Sequence, residues 1–268
     1  MTDVTWIPEG VDLTRPSAAR IYDHLLGGGH NFAADRAIAA KLVEVQPNVA
    51  TIARRNRAFL RRAVLFMIEQ GVRQFLDLGS GIPTVGNVHE IAQRVVPDAR
   101  IVYVDSEDVA VAHSTLMLRE NPFATMVQAD VTRPDDVLGS GGVRSLLDLD
   151  EPVGLLAVTL GHYISPEQDP VRVFARYRDA VPSGSLLALT HFTDDFADIR
   201  ADDLVETMRS TQNNVFPRTR DEVLELFTGF ELVEPGLVTT SQWRPEPGGE
   251  VVDDPSQDGL WVGAGRKP

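Results

Sequence analysis

The sequence predicts an α/β fold: a doubly wound, mostly parallel, seven-stranded sheet with an antiparallel C-terminal edge hairpin, preceded by an N-terminal helical cap. Three observations predict it. Apolar runs of strand length, RQFLDLG, ARIVYVD, ATMVQAD, PVGLLAV and GSLLALTH, each give way to a helical pattern, and such alternation winds a sheet with helices on both sides. The runs are apolar nearly throughout, as strands buried on both faces are. Two later strand-like runs, FELVEPGLV and GLWVGAGRKP, flank the polar, Pro- and Gly-rich SQWRPEPGGEVVDDPSQD; a connection without helical periodicity joins antiparallel neighbours.

Before the first strand the spacing is helical. Pro16 followed by SAARIYDHLL reads as a helix start, and Gly27, Gly28 and Gly29 stop that helix. NFAADRAIAAKLVEV reads as a second helix ending near Pro47, and VATIARRNRAFLRRAVLFMIEQG as a third, closed by Gly71. The expected division is a helical cap or lid over residues 1–70 and a ligand-binding core over 71–268.

Composition narrows the function classes. At 268 residues, 43% hydrophobic and 24% charged, the chain suits one large α/β domain or a domain with an appendage. A net charge of −14 disfavours nucleic acid and anionic membrane surfaces as partners. With no cysteine, disulfides, thiolate zinc sites and thiol nucleophiles are excluded. The N-terminus lacks the pattern of a secretory signal, and no apolar run approaches the roughly 18 residues of a membrane helix. A soluble cytoplasmic protein is expected.

The stretch QFLDLGSGIPT, residues 74–84, raises the central chemical question. A strand entering a glycine turn and then a helix, expected to begin near Pro83, brings backbone close to a ligand, since Gly79 and Gly81 carry no side chain. The helix would offer amides and the positive end of its dipole. Nicotinamide and S-adenosylmethionine sites share this much, but Thr84 stands where the six-residue glycine fingerprint needs glycine or alanine. Asp77, two residues before the first glycine, would oppose a pyrophosphate and suits a cationic ligand; alternatively it binds the turn's own amides. Asp105 ends the next run, where it can accept from ribose hydroxyls, and Asp130 the one after, where it can accept from adenine's amine. Either acid alone could be a helix N-cap. Together they mark the carboxyl edge at which open α/β sheets bind ligands.

The order of glycine turn, ribose acid and adenine acid resembles class I S-adenosylmethionine-dependent methyltransferases. PSAARIYDHLLGGGHNFAADR, ARRNRAFLRRAV and FLDLGSGIPTVGNVHEIAQ resemble, more narrowly, an actinobacterial methyltransferase family formerly listed as a domain of unknown function. The similarity runs through RTRDEV and ELVEPGLV to the terminal strand, although Ser106-Glu107 replaces the acid or Asn-Asp pair that family members tend to carry. The resemblance implies S-adenosyl-L-methionine as cofactor and a last strand inserted antiparallel beside the fifth. The cofactor-contacting set is then Asp77, Gly79, Ser80, Gly81, Asp105, Ser106, Asp130, Val131, Thr159 and Leu160.

The acceptor side is read from what remains. His162 follows the fourth strand and His191 ends the fifth; either could deprotonate or orient an acceptor, or simply pack as a satisfied histidine. Neither has metal-ligand company at a usual spacing, so no metal site is expected. The glycine-rich bend YDHLLGGGHNF reads as a lid in which Tyr22, His30, Asn31 and Phe32 line the methionine end, or as a plain connector. Among the arginines at 54, 55, 57, 61 and 62, a solvated face paired with acids is the default, with Arg57 able to grip a carboxylate. The function expected is methyl transfer to a small-molecule acceptor. A cofactor-binding regulatory protein without turnover and a nicotinamide-dependent oxidoreductase are the alternatives.

Overall fold

A computed structural model of the chain describes residues 12–83, 86–196, 200–249 and 251–268. Thr84, the sixth fingerprint position, and the first eleven residues of the stretch read for a signal lie outside them. Three helices lead: α1 (Ala18–Leu25), α2 (Ala33–Val45) and α3 (Val49–Glu69). The alternating region follows as β1 (Gln74–Leu78), α4 (Val88–Val95), β2 (Arg100–Asp105), α5 (Asp108–Met117), β3 (Ala124–Gln128), α6 (Pro134–Leu138), α7 (Gly141–Leu146), β4 (Gly154–Ala157), α8 (Pro170–Asp179) and β5 (Leu186–Phe192). The chain continues through α9 (Ala201–Met208), α10 (Arg220–Glu225), β6 (Glu231–Leu232), β7 (Val238–Thr239) and β8 (Leu260–Arg266).

The sheet has eight strands in the order β3-β2-β1-β4-β5-β8-β6, with β7 also paired to β8. β1 to β5 are mutually parallel, and β8 runs antiparallel to β5 from Leu186 opposite Arg266 to Phe192 opposite Leu260. The count is eight rather than seven because FELVEPGLV forms two short strands. Pro235 has no N–H for a ladder, and Gly236 at φ +86° turns the chain between β6 and β7. Chain order reverses at β1, which has β2 on one side and β4 on the other. That reversal opens a crevice at their carboxyl ends.

Every residue of β1 and β4 is buried, Gln74 and Asp77 of β1 included, as expected of strands covered on both faces. One core joins Phe59, Leu60, Ala63 and Met67 of α3 to Phe75, Ile101, Ala188 and Val262; the other joins Leu76, Val104 and Leu187 to Phe174, Tyr177 and Phe227. α3, expected with the cap, thus covers one face of the sheet. A smaller cluster of Ile21, Ile38, Leu42, Met208 and Val215 binds α1 and α2 to α9 over the carboxyl edge.

Candidate functional site

At the carboxyl edge of the sheet lies a cavity of about 630 Å³, within the usual range of small-molecule sites, ~300–1,000 Å³. The glycine turn forms its floor. Gly79 and Gly81 have φ of +66° and +64°, a region L side chains rarely adopt, and a Cβ on Gly79 would lie 2.6 Å from Leu160 Cδ1. The amides of Gly79 and Ser80 donate to Val104 O at 2.8 and 3.0 Å, locking the turn to β2. The next helix begins at Val88, not near Pro83. Glu90 accepts from the amides of Gly86 and Asn87, and Tyr103 Oη from that of His89, so these N-terminal amides are engaged within the protein.

Asp77, Asp105 and Asp130 all line this cavity, with Ser80, Ser106, Val131, Thr159 and Leu160 beside them. Burial lifts the Asp77 carboxyl to about 7; Arg57 opposes the shift and Asp105 adds to it. The role of binding the turn's amides, weighed for Asp77, falls to Asp105, whose Oδ2 accepts from Gly81 N at 2.7 Å and Oδ1 from Glu107 N at 2.9 Å. Asp130 Oδ1 takes the amide and hydroxyl of Thr132 in a local turn. Thr159 holds φ +57°; its amide donates to Thr190 Oγ1 at 2.7 Å and its hydroxyl to Val158 O at 2.6 Å. A non-glycine residue kept there costs of order 1–3 kcal/mol and is a mark of ligand sites.

The two histidines part company. His162 lines the cavity, and its Nδ1 accepts from Phe192 N at 3.3 Å. Burial, with His191 and Arg218 adding to it, holds the ring well below the ordinary histidine range. A neutral imidazole accepting at Nδ1 carries its proton on Nε2. His191 is absent from the cavity wall. It lies inside β5, fully buried, with Nδ1 donating to Phe192 O at 2.7 Å and Nε2 accepting from Arg218 Nη1 at 2.9 Å. Burial lowers it to about 4. It therefore positions Arg218, which also donates to the carbonyls of Gly161 and Ile164 on either side of His162.

The glycine-rich bend contributes less than expected. Tyr22 lines the cavity, but Asn31 and Phe32 do not. Asn31 Nδ2 donates to Asp23 Oδ2 and Gly28 O, each at 2.9 Å, and Phe32 lies under the Arg20 guanidinium with its amide on Asp35. Fully buried Asp23 also takes His30 N at 2.8 Å, so the bend is stitched from inside. Arg20, also fully buried, pairs with Asp35 at 2.9 Å and with Glu107 at 2.7 Å, tying α1 and α2 to the turn that follows Asp105. Arg57 lines the cavity with Nη2 on Gly86 O at 2.7 Å, whereas Arg55, Arg61 and Arg62 hold the segment between β7 and β8 through Asp258, Glu246 and the carbonyls of Trp243 and Thr240.

Sequence reading missed Asn56, which is fully buried on the cavity wall. Tyr22 Oη must donate to Ala53 O, an acceptor only, so it accepts from Asn56 Nδ2 at 2.9 Å. That fixes the amide and leaves Asn56 Oδ1 buried with no hydrogen-bond partner among the described residues. The available signal was an asparagine on the apolar stripe Ile52, Phe59, Leu60 and Ala63 of a helix. Tyr163 and the α9 residues Leu204 and Met208 were also missed on this wall.

Among the described residues no helix is long and apolar enough to cross a membrane, and no group of three or more His, Asp or Glu could hold a metal ion. A search of curated proteins gave no match. Among solved structures, a candidate methyltransferase of Thermobifida fusca YX is 40% identical, with 98% of each chain covered and a TM-score of 0.90. A DUF574 family protein of Streptomyces avermitilis MA-4680 is 34% identical over 96% of this chain and 99% of its own, with a TM-score of 0.92. The family model for S-adenosyl methyltransferases matches residues 4–268. The chain is therefore an S-adenosyl-L-methionine-dependent methyltransferase and belongs to the S-adenosyl methyltransferase family.

Proposed function

We propose that the cavity at the carboxyl edge holds S-adenosyl-L-methionine beside a small-molecule acceptor, with residues 1–70 as cap and lid on a core of 71–268. In this reading α3 serves both parts, and the protein works in the cytoplasm. The observation that carries the proposal is the convergence of Asp77, Asp105 and Asp130 with a side-chain-free turn on one cavity.

The residues present fit the cofactor. Gly79 and Gly81 leave a cradle that a side chain would fill, and Asp77 and the unpartnered Asn56 Oδ1 give anionic and polar acceptors for an ammonium group. Asp105 retains lone pairs for ribose hydroxyls beyond the two amides it already accepts, and Asp130, on the same wall, would accept from adenine's amine. Arg57 is the cation on the same wall for a carboxylate. When bound, the cofactor supplies a sulfonium-activated methyl group whose departure leaves a neutral thioether.

The chain's own residues then have orienting tasks. His162, with Nδ1 engaged by Phe192 N, presents an Nε2–H donor rather than a base, and Arg218, held by His191, fixes the backbone around it. The cap closes the cavity roof and excludes water, and alignment of two bound molecules supplies at most ~7–11 kcal/mol of a reaction barrier.

Titration calorimetry tests the ribose role. Asp105→Ala should weaken S-adenosyl-L-methionine binding more than tenfold, because hydrogen bonds to a charged group contribute about 1.5–3 kcal/mol and ~1.4 kcal/mol is tenfold. Asp105 also anchors the turn, so Asp105→Asn, which keeps a carbonyl oxygen for Gly81 N, is the companion variant. Unchanged affinity in both, with normal melting profiles, would exclude the role.

A further inference from the structure

The cavity has two chemically different halves. Its charged wall residues, Arg57, Asp77, Asp105, Glu107 and Asp130, stand on α3 or just at and beyond the carboxyl ends of β1, β2 and β3. The half beneath α1, α2 and α9 carries no charged side chain among the described residues. Leu25, Leu42, Leu204 and Met208 wall it, and Gln46, Gln212 and Asn213, whose Oδ1 already accepts from Ala18 N, are among its polar groups. Leu25 and Leu204 are only half-buried, although they pack on the closed cluster of Ile21, Leu42 and Met208. Apolar surface held open inside a cavity gains most from a ligand of the same character. A charged ligand there would shed its hydration without meeting a counter-charge. The Tyr163 hydroxyl, on the same wall, makes no hydrogen bond among the described residues. Burial pushes its pKa up, so it stays a neutral hydroxyl able to meet one polar group.

From this division we infer that the half-cavity under the cap is the acceptor compartment, and that the acceptor is an uncharged, predominantly apolar small molecule with a single polar end. Amino acids, nucleotides and phosphorylated or carboxylated metabolites are excluded by the same chemistry. The net charge of −14 further repels polyanions from the entrance. The inference rests on the methyl-transfer reading above, and it adds the acceptor's class to it. The thioether of Met208 suits such a wall, since an unbranched side chain adapts to apolar ligands of differing outline.

The probe is Prodan, a neutral naphthalene ketone whose fluorescence shifts to the blue in apolar surroundings, titrated into the full chain saturated with S-adenosylhomocysteine. Calorimetry first measures the affinity for S-adenosylhomocysteine; its failure to bind would overturn the methyl-transfer reading itself, before any dye is added. Given that binding, saturable one-site Prodan binding is expected, with a carboxylate-bearing analogue at least tenfold weaker. Leu204→Glu and, independently, Met208→Lys should each weaken Prodan at least tenfold and leave the S-adenosylhomocysteine affinity within twofold. No Prodan binding, equal binding of the carboxylate analogue, or unaltered Prodan affinity in folded variants would each overturn the inference. Should both charged variants fail to melt cooperatively, Gln46→Leu decides: it should tighten Prodan binding, and equal or weaker binding overturns the inference.

Discussion

Asp77 meets any ligand of this cavity with a carboxyl near half-ionisation at neutral pH, because burial has lifted it to about 7. A cationic ligand stabilises the ionised form, so binding and deprotonation are linked. The affinity for S-adenosyl-L-methionine should therefore rise between pH 6 and 8, with proton release near pH 7 seen as calorimetric heats that vary with the buffer's ionisation enthalpy. Asp77→Asn should abolish the release and flatten the profile; a wild-type profile already flat would disprove the linkage. His162 gives a second residue-level outcome. Its ring should show a protonated Nε2 and an unprotonated Nδ1 in nitrogen NMR, and His162→Gln should keep turnover within about tenfold, whereas loss of a general base costs ~10²–10⁴. Asp105 and Asp130 were legible in the sequence because each ends an apolar run, and Asp77 because a glycine turn follows it. His191 misled because β5 extends one residue past it to Phe192, so the side chain belongs to the strand and meets Arg218 across a buried interface.

At the scale of elements, the bend between α1 and α2 is a built turn rather than a loose one. Its glycines differ sharply. A Cβ on Gly28 would collide with the buried Asp23 carboxylate, whereas one on Gly29 would meet nothing within 4 Å. Gly28→Ala should accordingly destabilise the protein by about 1–3 kcal/mol in chemical denaturation, as overpacking does, and Gly29→Ala should stay within about 0.5 kcal/mol. Equal effects would show that the turn tolerates a side chain at either place. α1, α2 and α3 were readable because their apolar positions recur at helical spacing; the reason for Gly28 was not, since it lies in the fold of a carboxylate five residues back. The third cap helix, α9, was also unread. It is contributed from beyond β5, and its pairing with α2 through Met208 and Leu42 is a contact no local pattern announces.

For the molecule as a whole, buried histidines and a buried carboxyl pull the response to acid in opposite directions. His191 is neutral in the fold with a pKa of about 4, against ~6.5 in an unfolded chain. The unfolded state thus binds the extra proton between those values, so stability is fully present above about pH 6.5 and is lost as pH falls toward 4. The shift corresponds to about 3 kcal/mol, and His162, lowered for the same reason, adds to it. Asp77 acts with the opposite sign, since its raised pKa makes the folded state the better proton binder between about 3.8 and 7. Denaturant melts at pH 7, 5.5 and 4.5 should show Asp77→Asn, which removes the offset, losing stability more steeply than the parent as pH falls. Equal slopes in the two proteins would contradict the opposition of carboxyl and rings. The doubly wound class was readable from strand–helix alternation, and the last strand's place beside the fifth from the family resemblance; the split of β6 from β7 turned on Pro235 and Gly236, which the apolar run concealed.

The position of β8 between β5 and β6 has a consequence for how the protein is made. Translation delivers β5 long before β8, and until Leu260–Arg266 emerges the backbone groups of β5 have no partner on that side. At roughly 5–20 residues per second, the ribosome leaves this edge open for seconds, and an open, apolar, parallel-sheet edge is a template for pairing with other chains. Slow codons between Phe192 and Leu260 would lengthen the exposure, so yield in a heterologous host should track the speed of translating that interval.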